Sequence, residues 1–265
     1  MSGPTIDEAI ALVAHAREVA GHSAGTSRLD AWVLRAIGVP PQDATVLDLE
    51  RVILRSKNRG TRATYANRIR SVFDLLNRLG AINNRAHEQL PRLSMPETQP
   101  RPLSDEQVRR LLDGMREPHV DTVRVALLTG ARSMEVWAMA GTDLLHGPNG
   151  PELLLHGKGG TELTVPAHPT VVDVFERYAT LGRLFTRYNT SHQLSQRVGE
   201  EMRRVLGTHV EFHQCRHTFG TRVYQATGDI YLTSRVLRHA SVATTQVYAQ
   251  IADSRPREAI LGLAG

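Results

Sequence analysis

The sequence predicts a mainly α-helical fold in two domains, the second carrying a small antiparallel sheet. Three observations lead there. Apolar residues recur at helical spacing through the first 90 positions with no strand signal between them. Four prolines then fall within residues 91–102, a composition that gives a stiff, extended linker. Beyond it the helical patterns are interrupted by two short strand-like runs around a glycine-rich turn.

Each element has its own signal. Ile6 to Ala20 places Ile6, Ile10, Val13 and Val19 near helical spacing, Leu29 to Ile37 does so with Trp32, Val33 and Ile37, and Asp43 to Lys57 with Val46, Leu49, Val52 and Ile53. The strongest period follows in Tyr65, Ile69, Val72, Phe73, Leu76 and Leu79, with Thr61 read as N-cap and Gly80 as C-cap. Together these make a compact four-helix unit. After the linker, Ser104 opens a helix, and Gln107 three residues on completes a capping box. Thr122–Leu128 and Ser133–Met139 read as helices around the turn Thr129–Arg132. Glu152–His156 and Glu162–Pro166 read as strands around Gly157-Lys158-Gly159-Gly160, a hairpin signal. Helices resume over Val171–Leu181, Gln193–Leu206, Gln214–Ala226, Ile230–Leu237 and Val242–Ile251. The expected domains are 1–99, with the linker at about 91–102, and 101–265.

Composition narrows the function classes. The 265 residues carry 32 Lys+Arg against 27 Asp+Glu, a net charge of +5. Hydrophobic residues make up 41%, enough for a sizeable core. Cys215 is the only cysteine, which excludes an intramolecular disulfide framework and a Cys₄ zinc site. The sequence has no apolar run of transmembrane length and no secretory signal, so a cytoplasmic protein without membrane partners is expected. Thirty of the basic residues are arginines, and Lys57 and Lys158 are the two exceptions. Genome composition accounts for most of that bias, although guanidinium forks also suit phosphate. Arg51, Arg55, Lys57, Arg59, Arg62, Arg68 and Arg70 form an acid-free basic stretch. It reads either as a solvated helical face or as a surface that tracks a phosphate backbone, with Arg55, Lys57, Arg59, Arg62 and Arg68 as candidate contacts.

In the second domain several polar residues stand out. Arg132 follows a glycine turn, Lys158 sits at the hairpin tip, and His213, Arg216 and His217 cluster at a helix start. His239 ends a helix, and Tyr248 lies nine residues later. Taken singly, each has an ordinary reading as an ion pair, a solvated lysine or a core tyrosine. Taken in order, they resemble a known set. Thr129-Gly130-Ala131-Arg132-Ser133-Met134-Glu135 is similar to the first arginine box of the tyrosine recombinases, the phage-integrase family. Gly157-Lys158-Gly159-Gly160 resembles that family's hairpin lysine, and His213 to Thr221 its His-x-x-Arg box. Leu237-Arg238-His239 through Tyr248 resembles its final His…Tyr box. The similarity runs through residues 101–250, with a weaker echo at Thr61, Tyr65 and Phe73.

The resemblance implies a helical, SAM-like core-DNA-binding domain followed by a mostly helical tyrosine-recombinase catalytic domain, the two forming a clamp on duplex DNA. It implies Arg132, Lys158, His213, Arg216, His239 and Tyr248 as catalytic residues. Glu135 would orient Arg132, and His217 would be a structural hydrogen-bonder. Two arginines suit an anionic phosphodiester because each can clamp non-bridging oxygens and stabilise the added charge of the transition state. Tyr248 would attack to give a 3′-phosphotyrosine, and Lys158 would protonate the leaving 5′ oxygen. The phosphotyrosine retains the ester's energy, so no ATP, metal or other cofactor is required. The expected partners are double-stranded core or attachment sites, four copies of this chain assembled on DNA, and a directionality factor. The helical pattern starts almost at Met1, so no N-terminal arm-binding domain is expected. The tail from Ala249 to Gly265 would either pack on a neighbouring protomer or fray.

Other readings remain at this point. His213, Cys215 and His217 form a metal-like cluster, and Cys215 could be a nucleophile. A type IB topoisomerase-like or telomere-resolving enzyme would share the chemistry, and an inactive DNA-binding relative would share the fold. The target sequence is not legible, because base readout depends on which side chains reach the grooves.

Overall fold

The computed structural model describes residues 3–22, 24–95, 100–157, 162–178, 182–239 and 242–248. The chain divides into two compact units, Met1–Thr98 and Gln99–Gly265.

The first unit contains four α-helices, α1 (Ile6–Val19), α2 (Ala24–Ile37), α3 (Val46–Leu54) and α4 (Arg59–Arg78), and a short 3₁₀ turn over Ala86–Gln89. Their apolar stripes meet in one core that includes Val13, Leu34, Leu49, Val52, Ile69, Phe73 and Leu76. Capping boxes fix two of the starts: Thr5 with Glu8 begins α1, and Thr45 with Asp48 begins α3. The latter makes α3 shorter than the expected 43–57. Helix α2 starts five residues before the expected Leu29.

Helix α4 corrects a second boundary. Asn58, not Thr61, is its N-cap, since the Asn58 side-chain oxygen Oδ1 accepts from the Thr61 backbone N–H at 3.0 Å. The helix therefore includes Arg59 and Arg62 in its first turn. At the other end Leu79 is the cap, and Gly80 takes the left-handed turn (φ 66°) just beyond it.

A buried ion cluster ties three of these helices together. Asp30 on α2 is 1% exposed and receives Arg17 Nε from α1 at 2.9 Å. Arg68 Nη1 from α4 lies 3.3 Å from its other oxygen. Arg17 also donates to Ser71 Oγ at 2.7 Å. The acid-free stretch thus borrows its counter-charge from a different helix. Arg70 donates to the carbonyls of Leu90 and Pro91, fastening the outgoing chain to α4.

The second unit runs α5 (Asp105–Gly114), α6 (His119–Thr129), α7 (Ser133–Ala138), β1 (Leu144–Gly147), β2 (Gly150–His156), β3 (Glu162–Pro166), α8 (Pro169–Tyr178), α9 (Ser191–Leu206), α10 (Gln214–Thr227) and α11 (Ile230–Leu237). Ser104 and Gln107 form the expected capping box. Thr129 belongs to α6 rather than to the turn after it. The strands make an antiparallel sheet in the order β1-β2-β3, with Leu144 opposite Leu153 and Leu154 opposite Thr164. Strand β1 was not anticipated. Its signal was the Asn149-Gly150 pair, and Gly150 adopts φ 115° in the tight turn to β2.

Helix α6 lies at the centre of this unit and buries residues on all sides, among them Val120, Val123, Val125, Ala126 and Leu127. Its one fully buried acid, Asp121, accepts from Arg124 and from Arg177 of α8, each at 2.7 Å. The incoming chain is pinned to α10: Leu103 N–H donates to Thr218 Oγ1 at 2.8 Å, and Gln214 Nε2 donates to the Arg101 carbonyl at 2.9 Å. After α11, the expected helix over Val242–Ile251 opens as a 3₁₀ turn, Val242–Thr245. Residues 249–251, residues 179–181 of the expected 171–181 helix and the tail to Gly265 lie outside the described residues. Among the described residues, no helix is long and apolar enough to cross a membrane.

Removing one member of a buried ion pair strands its partner in a low-dielectric site. Asp30→Ala should therefore lower the unfolding free energy of the helical unit by about 3 kcal/mol, measured as a shift in its urea midpoint.

Candidate active site

Three helix ends converge to make the site. Helix α6 stops at Gly130, which takes φ 62°. A Cβ there would collide with the Phe219 ring, so both the backbone angle and the packing demand glycine. The turn that follows delivers Arg132 to the start of α7. Helix α10 presents Arg216, 3% exposed, with His213 and His217 on either side. Helix α11 ends at Arg238, a non-glycine residue in the left-handed region at φ 56° and ψ 46°.

Hydrogen bonds lock these ends to one another. Arg216 Nη1 donates to the Gly130 carbonyl at 2.6 Å, and its Nη2 donates to the Leu237 carbonyl. Arg132 Nη2 donates to the Arg238 carbonyl at 3.3 Å. Glu135, 1% exposed at its side chain, sits between the charges. One of its oxygens accepts from Arg132 Nη1 at 2.8 Å. The other accepts from Arg238 Nη2 at 2.7 Å and from the Arg132 backbone N–H at 2.8 Å. Burial works against a charged Glu135, but Arg238 and the bonds from Arg132 prevail and hold its carboxyl below the usual range. Arg216 is pushed down to about 10 by burial and by the neighbouring Arg132 and Arg238, which leaves it charged at neutral pH.

The tyrosine and the histidines occupy the other side. Tyr248 is 2% exposed, and its hydroxyl lies 3.1 Å from His217 Nδ1. Its ring stacks on His239, with centroids 6.2 Å apart at 18°. His239 Nδ1 is 2.8 Å from Thr245 Oγ1. Burial raises the Tyr248 phenol, partly offset by Arg216 and Arg132. Gly220 on α10 makes this placement possible, since a Cβ there would come within 2.9 Å of both the Tyr248 ring and Leu237. His213 packs edge-on against His217 at 4.7 Å between centroids. His217 and His239 are each driven down to about 4, first by burial and then by nearby cationic and imidazole groups, so both are neutral at physiological pH.

The structure thus brings Arg132, Glu135, His213, Arg216, His217, His239 and Tyr248 together. Lys158 lies outside the described residues, and the strands flanking it pair through His156 and Glu162. Sequence reasoning gave no role to Arg238, Gly220 or Thr245, and it left His217 without the partner it has in Tyr248. Arg238 stood inside the quoted box, but nothing in the sequence marks a left-handed arginine. Cys215 is fully buried, its thiol pushed up to about 12 by burial, and so it rests protonated in the core. Among the described residues no group of three His, Cys, Asp or Glu could hold a metal, so the His213–Cys215–His217 cluster does not assemble as one. In the other unit, Arg55, Lys57 and Arg59 are exposed and Arg62 is half-buried, donating to the Ser56 carbonyl. Arg68 is engaged by Asp30.

A helical frame with one three-stranded sheet, in which two arginines and a histidine-flanked tyrosine converge, defines a tyrosine recombinase. Residues 101–255 match the model of the phage integrase family. A tyrosine recombinase XerC of Brucella melitensis is 28% identical over 250 residues, covering 83% of this chain and 79% of that protein. A tyrosine recombinase XerA of Pyrococcus furiosus is 26% identical, covering 92% and 89%. Among solved structures, a lambda integrase dimer bound to a COC′ core site superposes with a TM-score of 0.73 at 16% identity, covering 97% of this chain and 79% of that one. The chain belongs to the phage integrase family.

The neutral histidines set a pH window. Free imidazole titrates near 6.5, whereas His217 and His239 in the folded chain take up protons only near 4. Their contribution to stability is complete above 6.5 and is lost as pH falls towards 4, because the unfolded chain protonates first. The urea midpoint of the second unit should fall across that window, and His217→Gln should make the fall shallower.

Proposed function

We propose that this chain cleaves and rejoins duplex DNA at defined sites through a 3′-phosphotyrosine on Tyr248. The observation that carries this reading is the placement of the Tyr248 hydroxyl against a neutral imidazole, beside two arginines that share one set of helix ends. The Tyr248 oxygen attacks phosphorus while its proton passes to His217, whose low pKa leaves a lone pair free in the Nδ1-unprotonated tautomer. Arg132 and the N–H groups that Arg216 does not spend on carbonyls stabilise the charge that grows on the non-bridging oxygens. His213 and His239 donate further hydrogen bonds there. As the bond from phosphorus to the 5′ oxygen breaks, Lys158 supplies the proton that makes it a hydroxyl. Rejoining runs the same path backwards with a 5′-hydroxyl from another duplex.

On this reading residues 101–265 are the catalytic domain and residues 1–99 hold the DNA core site. The exposed Arg55, Lys57 and Arg59 and the nearby Arg62 then contact phosphates, with the start of α4 adding the partial positive charge of its free N–H groups. Arg68 is already neutralised by Asp30 and contributes less. A solved relative, described as a lambda integrase tetramer bound to a Holliday junction, superposes with a TM-score of 0.69 at 15% identity. Assembly of four protomers on two core sites, with a directionality factor as accessory partner, is the corresponding arrangement here.

A nicked suicide duplex carrying the core site tests the mechanism. Wild type should trap a covalent protein–DNA adduct and Tyr248→Phe none; an undiminished adduct from Tyr248→Phe would remove the nucleophile. Arg132→Ala and Arg216→Ala should each slow cleavage by about 10²-fold or more while duplex affinity is largely kept. Lys158→Arg should impair cleavage, because arginine stays charged and is a poor proton donor, whereas Lys57→Arg should be nearly silent. Equal tolerance at the two lysines would contradict the acid assignment.

A further inference from the structure

We infer that Arg238 is a positioning residue for the cleavage reaction, its guanidinium holding Glu135 and, through Glu135, Arg132. The inference rests on the phosphotyrosine reading above and extends it to a residue that reading does not use.

The backbone at this position is suited to glycine. Arg238 is the one non-glycine residue at positive φ among the described residues. Glycine adopts such angles freely, whereas a side chain bearing a Cβ is strained there. Capping alone does not need the side chain. The bonds that close α11 run from the Arg238 backbone N–H to the Arg235 and Ser234 carbonyls, and glycine would make them equally well.

The side chain adds further costs. It is 8% exposed, so a guanidinium has been taken out of water. Its Nε is buried with no hydrogen-bond partner among the described residues. Strain, desolvation and an unmet donor at one residue point to a function rather than to stability.

The contacts say which function. Arg238 Nη2 donates to one Glu135 oxygen at 2.7 Å, and Nη1 to the Val236 carbonyl at 2.8 Å. Glu135 in turn accepts from the Arg132 side chain and backbone. The loop closes where Arg132 Nη2 donates to the Arg238 carbonyl. The preceding carbonyl, Leu237, accepts from Arg216. A single left-handed residue therefore offers its carbonyl to one phosphate-binding arginine and steers the carboxylate that orients it. Without the guanidinium, Glu135 is held from the Arg132 side only, and Arg132 can follow it out of line.

The test compares Arg238→Gly and Arg238→Lys with wild type and with Tyr248→Phe. It measures single-turnover adduct formation on the nicked core duplex at saturating protein, duplex affinity and thermal midpoint. Arg238→Gly should keep duplex affinity within about two-fold and slow adduct formation about ten-fold or more, the signature of an interaction made for the reaction step. Arg238→Lys, which keeps the charge without the fork, should recover part of the rate. The proposal is overturned if Arg238→Gly reacts at the wild-type rate, if its affinity falls in step with its rate, or if Arg238→Lys is no faster than Arg238→Gly. Should Arg238→Gly fail to fold, Arg238→Lys decides: a slowed reaction at unchanged affinity supports the proposal, and a wild-type rate overturns it. An inactive wild type, or a Tyr248→Phe that still forms the adduct, instead rejects the phosphotyrosine reading, and the Arg238 proposal falls with it.

Discussion

The site depends on crowding like charges without letting them separate. Arg132, Arg216 and Arg238 come from three different helix ends, and unit charges at such separations repel strongly in a poorly solvated setting. Glu135 is the counterweight. It is buried, ionised and shared by two of the three guanidiniums. Arg216 is managed differently, by main-chain carbonyl dipoles at Gly130 and Leu237. On the proposed reading, the positive charge that a phosphodiester needs is thereby set up before DNA arrives, so little reorganisation is left for the reaction itself. The same bonds join the C-terminal ends of α6 and α11 to the starts of α7 and α10, each of which supplies an atom to the cluster.

Tyr248 is organised by packing more than by charge. Gly220 leaves the space that the Tyr248 ring fills, His239 stacks on its face, and His217 meets its hydroxyl. Burial keeps the phenol protonated at rest and the two imidazoles unprotonated. The contact therefore joins a protonated hydroxyl to an unprotonated ring nitrogen, the donor and acceptor roles that a hydrogen bond between them needs.

Much of this was legible in the sequence, and the limits have physical causes. Long amphipathic helices such as α4 and α9 declare themselves through apolar spacing, and Ser104 with Gln107 reads directly as a start. The order Arg132, His213, Arg216, His239, Tyr248 was readable because the residue types and gaps are kept along the chain. Pairings across distant segments were not. Asp30 neutralising Arg68 joins positions far apart in sequence, so the basic stretch looked freer than it is. Asn58 displaced Thr61 as a cap because both are good cap residues and only the helix geometry chooses between them. Strand β1 is four residues long and half-exposed, too short for alternation to register. The left-handed Arg238 was invisible because its conformation follows from tertiary bonds, not from its own preference.

On the proposed reading, the hold on Tyr248 also sets the cost of bringing its hydroxyl to phosphorus. One hydrogen bond and a stacked ring together amount to about 1–3 kcal/mol, roughly a five- to 150-fold bias. That is enough to keep the tyrosine shielded in the free protein, where water would otherwise compete at the hydroxyl. On the proposed reading, a seated duplex has only this modest constraint to work against in presenting phosphorus to the hydroxyl.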